Sequence, residues 1–229
     1  YKTRDPVGEE VWARLPNTAM LALTSTVVAI LLALPLGIIA AIKQNTLFDG
    51  ISMFISLLGI SMPVFWMGLL LILFFSVKLS WFPVSGADQG IKSLVLPSIA
   101  LGFMHMASIA RTTRSSMLET IRQDYIRTVR AKGLPEKEVI TRHALRNALI
   151  PTTTVIGLQI GGMLGGSVLT ESVFAWPGIG RYMIQSIQGR DIPSVMGCII
   201  IFALSFAVIN LIVDLIYGFI DPRIKAQYK

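Results

Sequence analysis

Residues Glu119–Pro151 read ETIRQDYIRTVRAKGLPEKEVITRHALRNALIP and contain the clearest structural signal in the sequence. This stretch is the only long polar segment in an otherwise apolar chain, and it divides at Gly133. Before the glycine, Ile121, Tyr125 and Val129 recur every four residues and predict one face of a short helix. After it, a proline at a first-turn position and a second apolar stripe predict another helix. The stretch therefore predicts two short amphipathic helices that are joined at a glycine and lie at a membrane surface.

Composition places the rest of the chain in a lipid bilayer. Hydrophobic residues make up 53% of the 229 residues and charged residues only 14%, with a mean hydropathy of +0.67. One water-soluble core cannot bury so many apolar side chains. The net charge of +7 could indicate nucleic acid, but the basic residues lie beside apolar segments and not in one patch with interleaved aromatics. The sequence therefore predicts an all-α integral membrane protein that contacts lipid and no nucleic acid.

Five apolar runs are long enough to cross a bilayer as helices. They lie near residues 16–42, 51–77, 94–113, 147–170 and 192–217, and they define one membrane domain over residues 16–220. Pro63 predicts a kink in the second run. The polar stretches outside the bilayer are an extracytoplasmic segment 1–15, a cytoplasmic loop 119–146 and a cytoplasmic tail 221–229.

The distribution of lysine and arginine sets the predicted orientation. Five spans put the two termini on opposite sides of the membrane. With the Gly133 loop inside, 13 basic residues are cytoplasmic and 7 lie outside, which is the bias that the positive-inside rule expects. Tyr1 is therefore predicted outside and the C-terminus inside. Because the chain starts at Tyr1 without a start methionine or signal peptide, we expect it to lack its beginning.

The fourth apolar run carries glycines at spacings that let another helix backbone approach closely. They are Gly157, Gly161, Gly162, Gly165 and Gly166. Three small-xxx-small pairs overlap within this set. We therefore predict that this run packs tightly against another helix.

Nothing in the sequence predicts catalysis. The chain has no phosphate-binding G-x-x-x-x-G-K-[ST] motif, so we do not expect it to hydrolyse ATP. Neither His105 nor His143 has a His, Cys or carboxylate at metal-ligand spacing, so no metal site is expected. His105, in the third run, suits a structural role or a proton or substrate contact, and His143 suits an interface. Asp214, in the last run, suits pairing with a basic residue or an ion path.

The run DYIRTVRAKGL (Asp124–Leu134), followed by HALRNALIP, resembles the cytoplasmic coupling loop of ABC importer permeases of the dipeptide/oligopeptide family. The general pattern of such loops is Glu-Ala-Ala, three residues, Gly, and further on Ile-x-Leu-Pro. This chain keeps Gly133 and Leu145. It carries Arg-Thr-Val from Arg127 where Glu-Ala-Ala would stand, and Arg146 where the proline would stand. These departures are similar to the peptide-permease version of the pattern.

By this resemblance, the run is the segment through which a partner ATPase acts. The implied coupling residues are Asp124, Tyr125, Arg127, Thr128, Arg130, Ala131, Lys132, Gly133 and Leu134. A second stretch, LTESVFAWPGIGRYM (Leu169–Met183), is also similar to the family and lies at the expected distance downstream. It implies an outer gate or a binding-protein contact at Glu171, Phe174, Trp176, Pro177, Gly178 and Gly180. An aromatic anchor next to a turn is the alternative for this stretch.

The resemblance implies a type I ABC importer transmembrane domain, of which this chain carries five helices and lacks an N-terminal sixth. The implied function is half of a pathway for di- or oligopeptides in a bacterial or archaeal cytoplasmic membrane. The implied partners are a second homologous permease, two ATP-binding cassette ATPases that hold ATP and Mg²⁺, and an extracytoplasmic substrate-binding protein. Nickel complexes or glutathione are alternative cargoes, and an ion-gradient-driven transporter or a membrane scaffold are alternative classes.

Overall fold

A computed structural model describes residues 6–220, except for the side chains of residues 166, 214 and 216–220. Every regular element in that range is a helix. In chain order they are α1 Val7–Ile42, α2 Leu47–Ser61, α3 Val64–Leu71, α4 Ile91–Ile121, α5 Asp124–Ala131, α6 Glu136–Glu138, α7 Leu145–Val173, α8 Ile179–Gln188 and α9 Ile192–Ile220. π-helical turns extend α3 over Ile72–Lys78 and join α6 to α7 over Val139–Ala144. The predictions for segment 1–5, tail 221–229, Gly166 and Asp214 lie outside what the structure describes.

Four of the described helices are long and apolar enough to cross a membrane, and α2 with α3 supplies a fifth span if the bent pair is one crossing. The pair is interrupted between Ser61 and Val64, where Pro63 has an extended ψ of 134°. Proline has no N–H with which to continue the hydrogen-bond ladder of α2. The predicted kink at Pro63 is therefore confirmed.

The helices are longer than the apolar runs that predicted them. α1 begins at Val7 and not near Pro16. Acidic residues in its first turn are favoured there by the helix dipole, and Glu10 pairs with Arg14 one turn later. α4 likewise extends beyond the run 94–113 at both ends. Hydropathy identifies only the apolar part of a helix, whereas the backbone hydrogen bonds of the helix continue into the polar residues that flank it.

Two segments differ from the sequence prediction. The helix that starts after Gly133 is not separate from the fourth span, because the π-helical turn joins it to α7 without a break. The segment between the predicted spans 147–170 and 192–217 contains a further helix, α8, since Ile179, Tyr182 and Met183 pack into an apolar cluster with Val11. A short run of apolar residues in a glycine-rich segment is not enough to predict such a helix.

The chain forms two compact units. The first comprises residues 6–29, Met62–His105 and Gln159–Leu211. A small apolar cluster in it centres on Val11, Ile179 and Cys198, all at most 1% exposed. This cluster holds α8 in place.

The second unit comprises Ile30–Ser61, Met106–Leu158 and residues 212–220. Its apolar cluster contains residues of α4, α5 and the π-helical turn, among them Met117, Ile126 and Val139. The segment that resembles a coupling loop therefore packs against the other helices of this unit through this apolar cluster.

Candidate functional site

One fully buried side chain packs α5 against the rest of the second unit. Ile126 is fully buried against Met117 and Val139, and Val129 packs at the edge of the same cluster. The sequence pattern predicted Tyr125 on this face, but Tyr125 is 40% exposed. Residues three apart share a helix face as well as residues four apart do, and Ile126 with Val129 is the pair that the structure uses.

Tyr125 instead makes polar contacts at the edge of the cluster. Its hydroxyl accepts a hydrogen bond from Asn147 Nδ2 at 2.7 Å and donates to the carbonyl oxygen of His143 at 3.3 Å. These bonds tie α5 to the start of α7. α5 and the start of α7 are therefore joined through both packing and hydrogen bonds.

Gly133 forms the turn between α5 and α6 because of its backbone conformation. Its φ is +80°, in the region that residues with a Cβ adopt only under strain. A methyl group built on Gly133 would meet no atom within 4 Å. The requirement for glycine here is therefore conformational and not steric.

An ion pair closes this turn. Arg130 donates from Nε to Glu136 Oε2 at 3.0 Å and from Nη2 to Oε1 at 2.8 Å. The hydrogen bonds to Glu136 raise the pKa of Arg130 above its ordinary value, so the guanidinium remains charged. Because both side chains are substantially exposed, the pair contributes at most about 1 kcal/mol. Its geometric role is to fix the direction in which α5 points, and the sequence analysis did not identify Glu136 as its partner.

The outward face of α5 is polar and open. We call it the α5 surface, and it consists of Asp124, Tyr125, Arg127, Thr128, Ala131 and Lys132, all exposed. Within this surface, Arg127 Nη1 lies 3.7 Å from Asp124 Oδ1. The other predicted coupling residues, Arg130, Gly133 and Leu134, shape the turn. The structure thus gathers the predicted set on one short helix and its turn.

Two polar cavities adjoin the α5 surface. One of about 570 Å³ is lined in part by Glu119, Gln123 and Asp124, and one of about 510 Å³ in part by Glu119, Gln123 and Tyr125. Among the described residues, no group of three or more His, Cys, Asp or Glu is placed to hold a metal ion.

A buried carboxylate that the sequence analysis missed braces the second unit. Asp49, 7% exposed in the first turn of α2, accepts hydrogen bonds from Arg114 Nε at 2.8 Å and Arg114 Nη2 at 2.7 Å. It also accepts from the backbone N–H of Asn45 at 3.1 Å. A two-pronged pair of this kind fixes both direction and distance between α2 and α4. The available signal was a single charged residue, Asp49, in the otherwise uncharged α2.

We expect Asp49→Asn to destabilise the protein, because the amide cannot accept both guanidinium bonds with full charge. Hydrogen bonds to charged groups contribute about 1.5–3 kcal/mol each, so the midpoint of thermal unfolding in detergent should fall by several degrees. Asp88→Asn, at an exposed loop position, is the matched control. Equal midpoints for the two variants would show that the Asp49–Arg114 pair does not brace the fold.

The second predicted site centres on Glu171, which is fully buried. Its Oε1 accepts a hydrogen bond from Thr18 Oγ1 at 2.8 Å, and its Oε2 accepts from the backbone N–H of Arg181 at 3.1 Å. Thr18 Oγ1 in turn accepts from the backbone N–H of Ile179 at 2.9 Å. The carboxylate therefore lies at the N-terminus of α8, where unpaired N–H groups and the helix dipole favour an anion.

Gly178 and Gly180 leave the space that this carboxylate occupies. A methyl group on Gly178 would lie 2.3 Å from the carboxyl carbon of Glu171, and one on Gly180 would lie 2.5 Å from the Cα of Val168. Neither glycine has a positive φ. Close packing against Glu171 and against the backbone of Val168 thus explains Gly178 and Gly180 in the motif.

The aromatic residues of this motif are buried as well. Phe174 and Trp176 are each 3% exposed. Trp176 Nε1 donates to the carbonyl oxygen of Asn17 at 3.0 Å, and Asn17 Nδ2 donates back to the carbonyl oxygen of Pro177 at 2.9 Å. We call residues 171–181 together with Asn17 and Thr18 the Glu171 clasp. It joins α1 to the turn between α7 and α8, and its aromatic side chains do not present a surface to a partner in this conformation.

The glycines of α7 divide between two faces. Gly157 packs against Val213, and Gly161 packs against Phe206 of α9, so these two serve close packing within the chain. Gly162 and Gly165 are exposed, and a methyl group on Gly165 would meet nothing within 4 Å. Helix α9 therefore makes the predicted close approach at Gly157 and Gly161, whereas the face of Gly162 and Gly165 is exposed.

Comparison with known proteins adds independent information. Residues 33–226 match the family model of the binding-protein-dependent transport system inner membrane component. The chain is 47% identical to the dipeptide transport system permease protein DppB of Alkalihalophilus pseudofirmus, over 98% of this chain and 75% of that protein. It is 45% identical to the glutathione transport system permease protein GsiC of Escherichia coli, over 97% of this chain and 72% of that protein.

Solved structures show the same fold. A chain of the MetNI methionine ABC transporter, in an inward-facing conformation, superposes with a TM-score of 0.80 at 18% identity, over 96% of this chain and all of that one. A chain of an amino acid ABC transporter has a TM-score of 0.71 at 15% identity, over 91% of this chain and 93% of that one. At these identities the likeness speaks for the fold alone, which is that of a type I ABC importer transmembrane domain.

The family match covers α2 to α9, with the α5 surface and residues 171–181 of the Glu171 clasp, and the relatives are permease subunits of transport systems and not ATPases. The helices that could span a membrane agree with an inner-membrane, multi-pass protein. This chain belongs to the family of inner membrane components of binding-protein-dependent transport systems, as a non-enzymatic permease subunit of an ABC importer.

Proposed function

We propose that this chain forms half of the pathway through which an ATP-driven importer moves di- and oligopeptides. The observation that carries this proposal is the 47% identity to a dipeptide permease, which extends over nearly the whole chain. A di/tripeptide permease of Pseudomonas aeruginosa is 45% identical over the same share. A pathway that accepts several peptides needs space and backbone-directed contacts more than one tight pocket.

The partners follow from the family and from the geometry of α5. The other half of the pathway is a second homologous permease, and an extracytoplasmic binding protein delivers the cargo. Two ATP-binding cassette subunits hold ATP and Mg²⁺, and each contacts one α5-type surface. What supports this docking is that α5 has an exposed polar face on one side and a fully buried Ile126 on the other.

The orientation follows from charge. The α5 surface and the C-terminus face the cytoplasm, and Tyr1 lies outside. The excess of lysine and arginine on the side of α5, 13 against 7, supports this arrangement. It also puts α5 on the side of the membrane where ATP is available.

The mechanism is a transfer of displacement. ATP binding draws the two ATPases together, and α5 moves with the subunit that holds it. Because Ile126 and the Tyr125–Asn147 bond tie α5 to α4 and α7, the movement reaches the membrane helices without loss in a flexible loop. The helices then exchange between states open to either side of the membrane.

Glutathione is a second candidate cargo, favoured by the 45% identity to the glutathione permease GsiC. Glutathione is itself a tripeptide with one unusual linkage, so the same pathway chemistry serves it. The binding protein is expected to decide between the two cargoes. The sequence and fold of this chain are compatible with either.

Uptake by the reconstituted complex tests the proposal. We expect proteoliposomes that contain the complete importer and its binding protein to accumulate labelled dialanine only when ATP is supplied at the α5 side. An excess of unlabelled tripeptide should compete, and an ionophore should not abolish uptake. Uptake of glutathione without dialanine would transfer the proposal to the second cargo, and uptake of neither would overturn the peptide assignment.

A further inference from the structure

An apolar groove lies between the membrane helices α1 and α4, within the first compact unit. Its volume is about 410 Å³. Its walls are formed mainly by Leu23, Val27 and Val28 of α1 and by Leu94, Val95 and Ile99 of α4. Leu23 and Val27 are more than half exposed, at 59% and 55%. The described part of the chain thus leaves this groove uncovered.

Two contacts between α1 and α4 set the inner end of the groove. Thr24 Oγ1 and Ser98 Oγ lie 2.7 Å apart and share a hydrogen bond, so the two hydroxyls that line the groove are paired with each other. One turn beyond Ser98, a methyl group on Gly102 would lie 2.7 Å from the carbonyl oxygen of Ser25, so the helix backbones are in close contact there. The groove therefore extends from Ile91, at the start of α4, to the place where the two helices meet.

The dimensions of the groove suit a single hydrocarbon chain and not a helix. Ile91 and Ile99 are about 12 Å apart along the axis of α4 at 1.5 Å per residue, so the volume of the groove corresponds to a mean cross-section of about 34 Å². An α-helix with its side chains is about 10–12 Å across and has a cross-section of about 80 Å² or more. Membrane helices also approach one another through small residues, whereas the walls of this groove are mainly leucine, valine and isoleucine.

A lysine lies at the end of the groove where α4 begins. Lys92 is exposed, follows the lining residue Ile91 and precedes Val95 by three residues, which places it on the same side of α4 as Val95. Because α4 begins after the loop 79–90, this end of the groove lies at the membrane surface. Lysine at a membrane surface attracts anionic headgroups. An apolar slot with a cation at its surface end is therefore complementary to an anionic lipid.

We propose that the groove holds one acyl chain of a phospholipid whose anionic headgroup lies at Lys92. This inference goes beyond the proposed function and is independent of the cargo. Since the bilayer interior is itself apolar, the acyl chain gains van der Waals contacts with the two walls and no further hydrophobic transfer. The headgroup contact therefore supplies the selectivity between lipids.

Photochemical labelling of the complete importer in phosphatidylcholine nanodiscs tests this site. The two probes are trace amounts of phosphatidylglycerol and of phosphatidylcholine, each with the same photoreactive diazirine in an acyl chain. Mass spectrometry locates the labelled residues. Label on residues 23–28 and 91–99 is divided by label at Leu204 and Leu211, which are exposed on α9 and report ordinary bilayer contact.

We expect this ratio to be roughly fivefold higher for phosphatidylglycerol than for phosphatidylcholine, which is the preference that one lysine gives. Lys92→Gln should bring the two ratios close together. Lys78→Gln, an exposed lysine before the same loop that does not line the groove, should keep the wild-type difference. Equal ratios for the two probes in the wild type would show ordinary bilayer contact only and would overturn the proposal.

A filled groove gives a second comparison. Val27→Trp places a larger side chain in the groove and should lower the labelling of its walls several-fold, whereas Val77→Trp, at a position 59% exposed outside the groove, should not. If Val27→Trp does not assemble, the comparison of the two probes on the wild type still decides. Groove residues that neither probe labels in the wild-type complex would mean that a protein partner covers them, which contradicts the lipid site.

Discussion

Replacing Gly133 by valine is expected to reduce peptide uptake roughly tenfold or more while ATP hydrolysis by the complex continues. At a φ of +80°, a residue with a Cβ is strained by about 1–2 kcal/mol, and a β-branched side chain by more. The turn relaxes by changing its backbone conformation, which changes the direction of α5 relative to α6. ATPase activity and uptake measured on the same proteoliposomes detect the separation of the two.

Gly133→Asn is the matched control, because asparagine tolerates the left-handed region better than other residues with a side chain. The space around Gly133 is open, so size does not distinguish the two variants. Asparagine should therefore keep uptake within about twofold of the wild type. If valine and asparagine reduced uptake equally, or if valine transported normally, the turn would not set the coupling geometry.

Replacing Gly178 by alanine is expected to break the Glu171 clasp. The added methyl group would lie 2.3 Å from the carboxyl group of Glu171, so the carboxylate must leave Thr18 and the N-terminus of α8. A buried carboxylate that loses its hydrogen bonds costs about 3 kcal/mol or more. The variant should unfold in detergent at a temperature several degrees lower and should yield little assembled complex.

Two comparisons separate the clasp from a general effect of alanine. Gly50→Ala adds the same methyl group inside α2 with no atom within 4 Å, and it should leave the unfolding midpoint unchanged or slightly higher. In Glu171→Ala the clash partner is absent, so adding Gly178→Ala to it should cost much less than Gly178→Ala does alone. Additive effects of the two substitutions would mean that the contact between them does not matter.

Sequence patterns predicted the parts of this fold that depend on local properties. Hydropathy located the membrane helices, Pro63 located the break between α2 and α3, and Gly133 located the turn before α6. These features follow from the preferences of single residues and of their immediate neighbours. Hydropathy misplaced the helix ends, because it identifies only apolar residues and α1 begins with a polar first turn.

Long-range pairings could not be predicted from the same patterns. Glu171 and Thr18 are 153 positions apart, and Asp49 and Arg114 are 65 apart. The sequence around one member of each pair contains no pattern that identifies the other member. The motif around Trp176 was predicted as a gate or a binding surface, and its burial in the Glu171 clasp depends on Asn17. The role of these residues in gating stays a prediction.

The glycines of α7 show the limit in another way. Their spacing predicted close helix packing, and the structure assigns that role to Gly157 and Gly161 through contacts with α9. Gly162 and Gly165, which lie three residues apart, have an exposed face instead. A repeat of small residues identifies where a backbone can be approached, and only the fold decides by what.

Cross-linking at the α5 surface tests most directly whether an ATPase acts on this chain through α5. Cys198 is the only cysteine in the sequence and is buried, so Thr128→Cys provides a single exposed thiol. In native membranes we expect Thr128→Cys to cross-link to an ATP-binding subunit, with a yield that changes when ATP is added, and Asp88→Cys in the loop before α4 not to do so. Absence of an ATPase adduct at Thr128 in an assembled complex that takes up peptide, or an equal adduct at Asp88, would contradict α5 as the point where force enters.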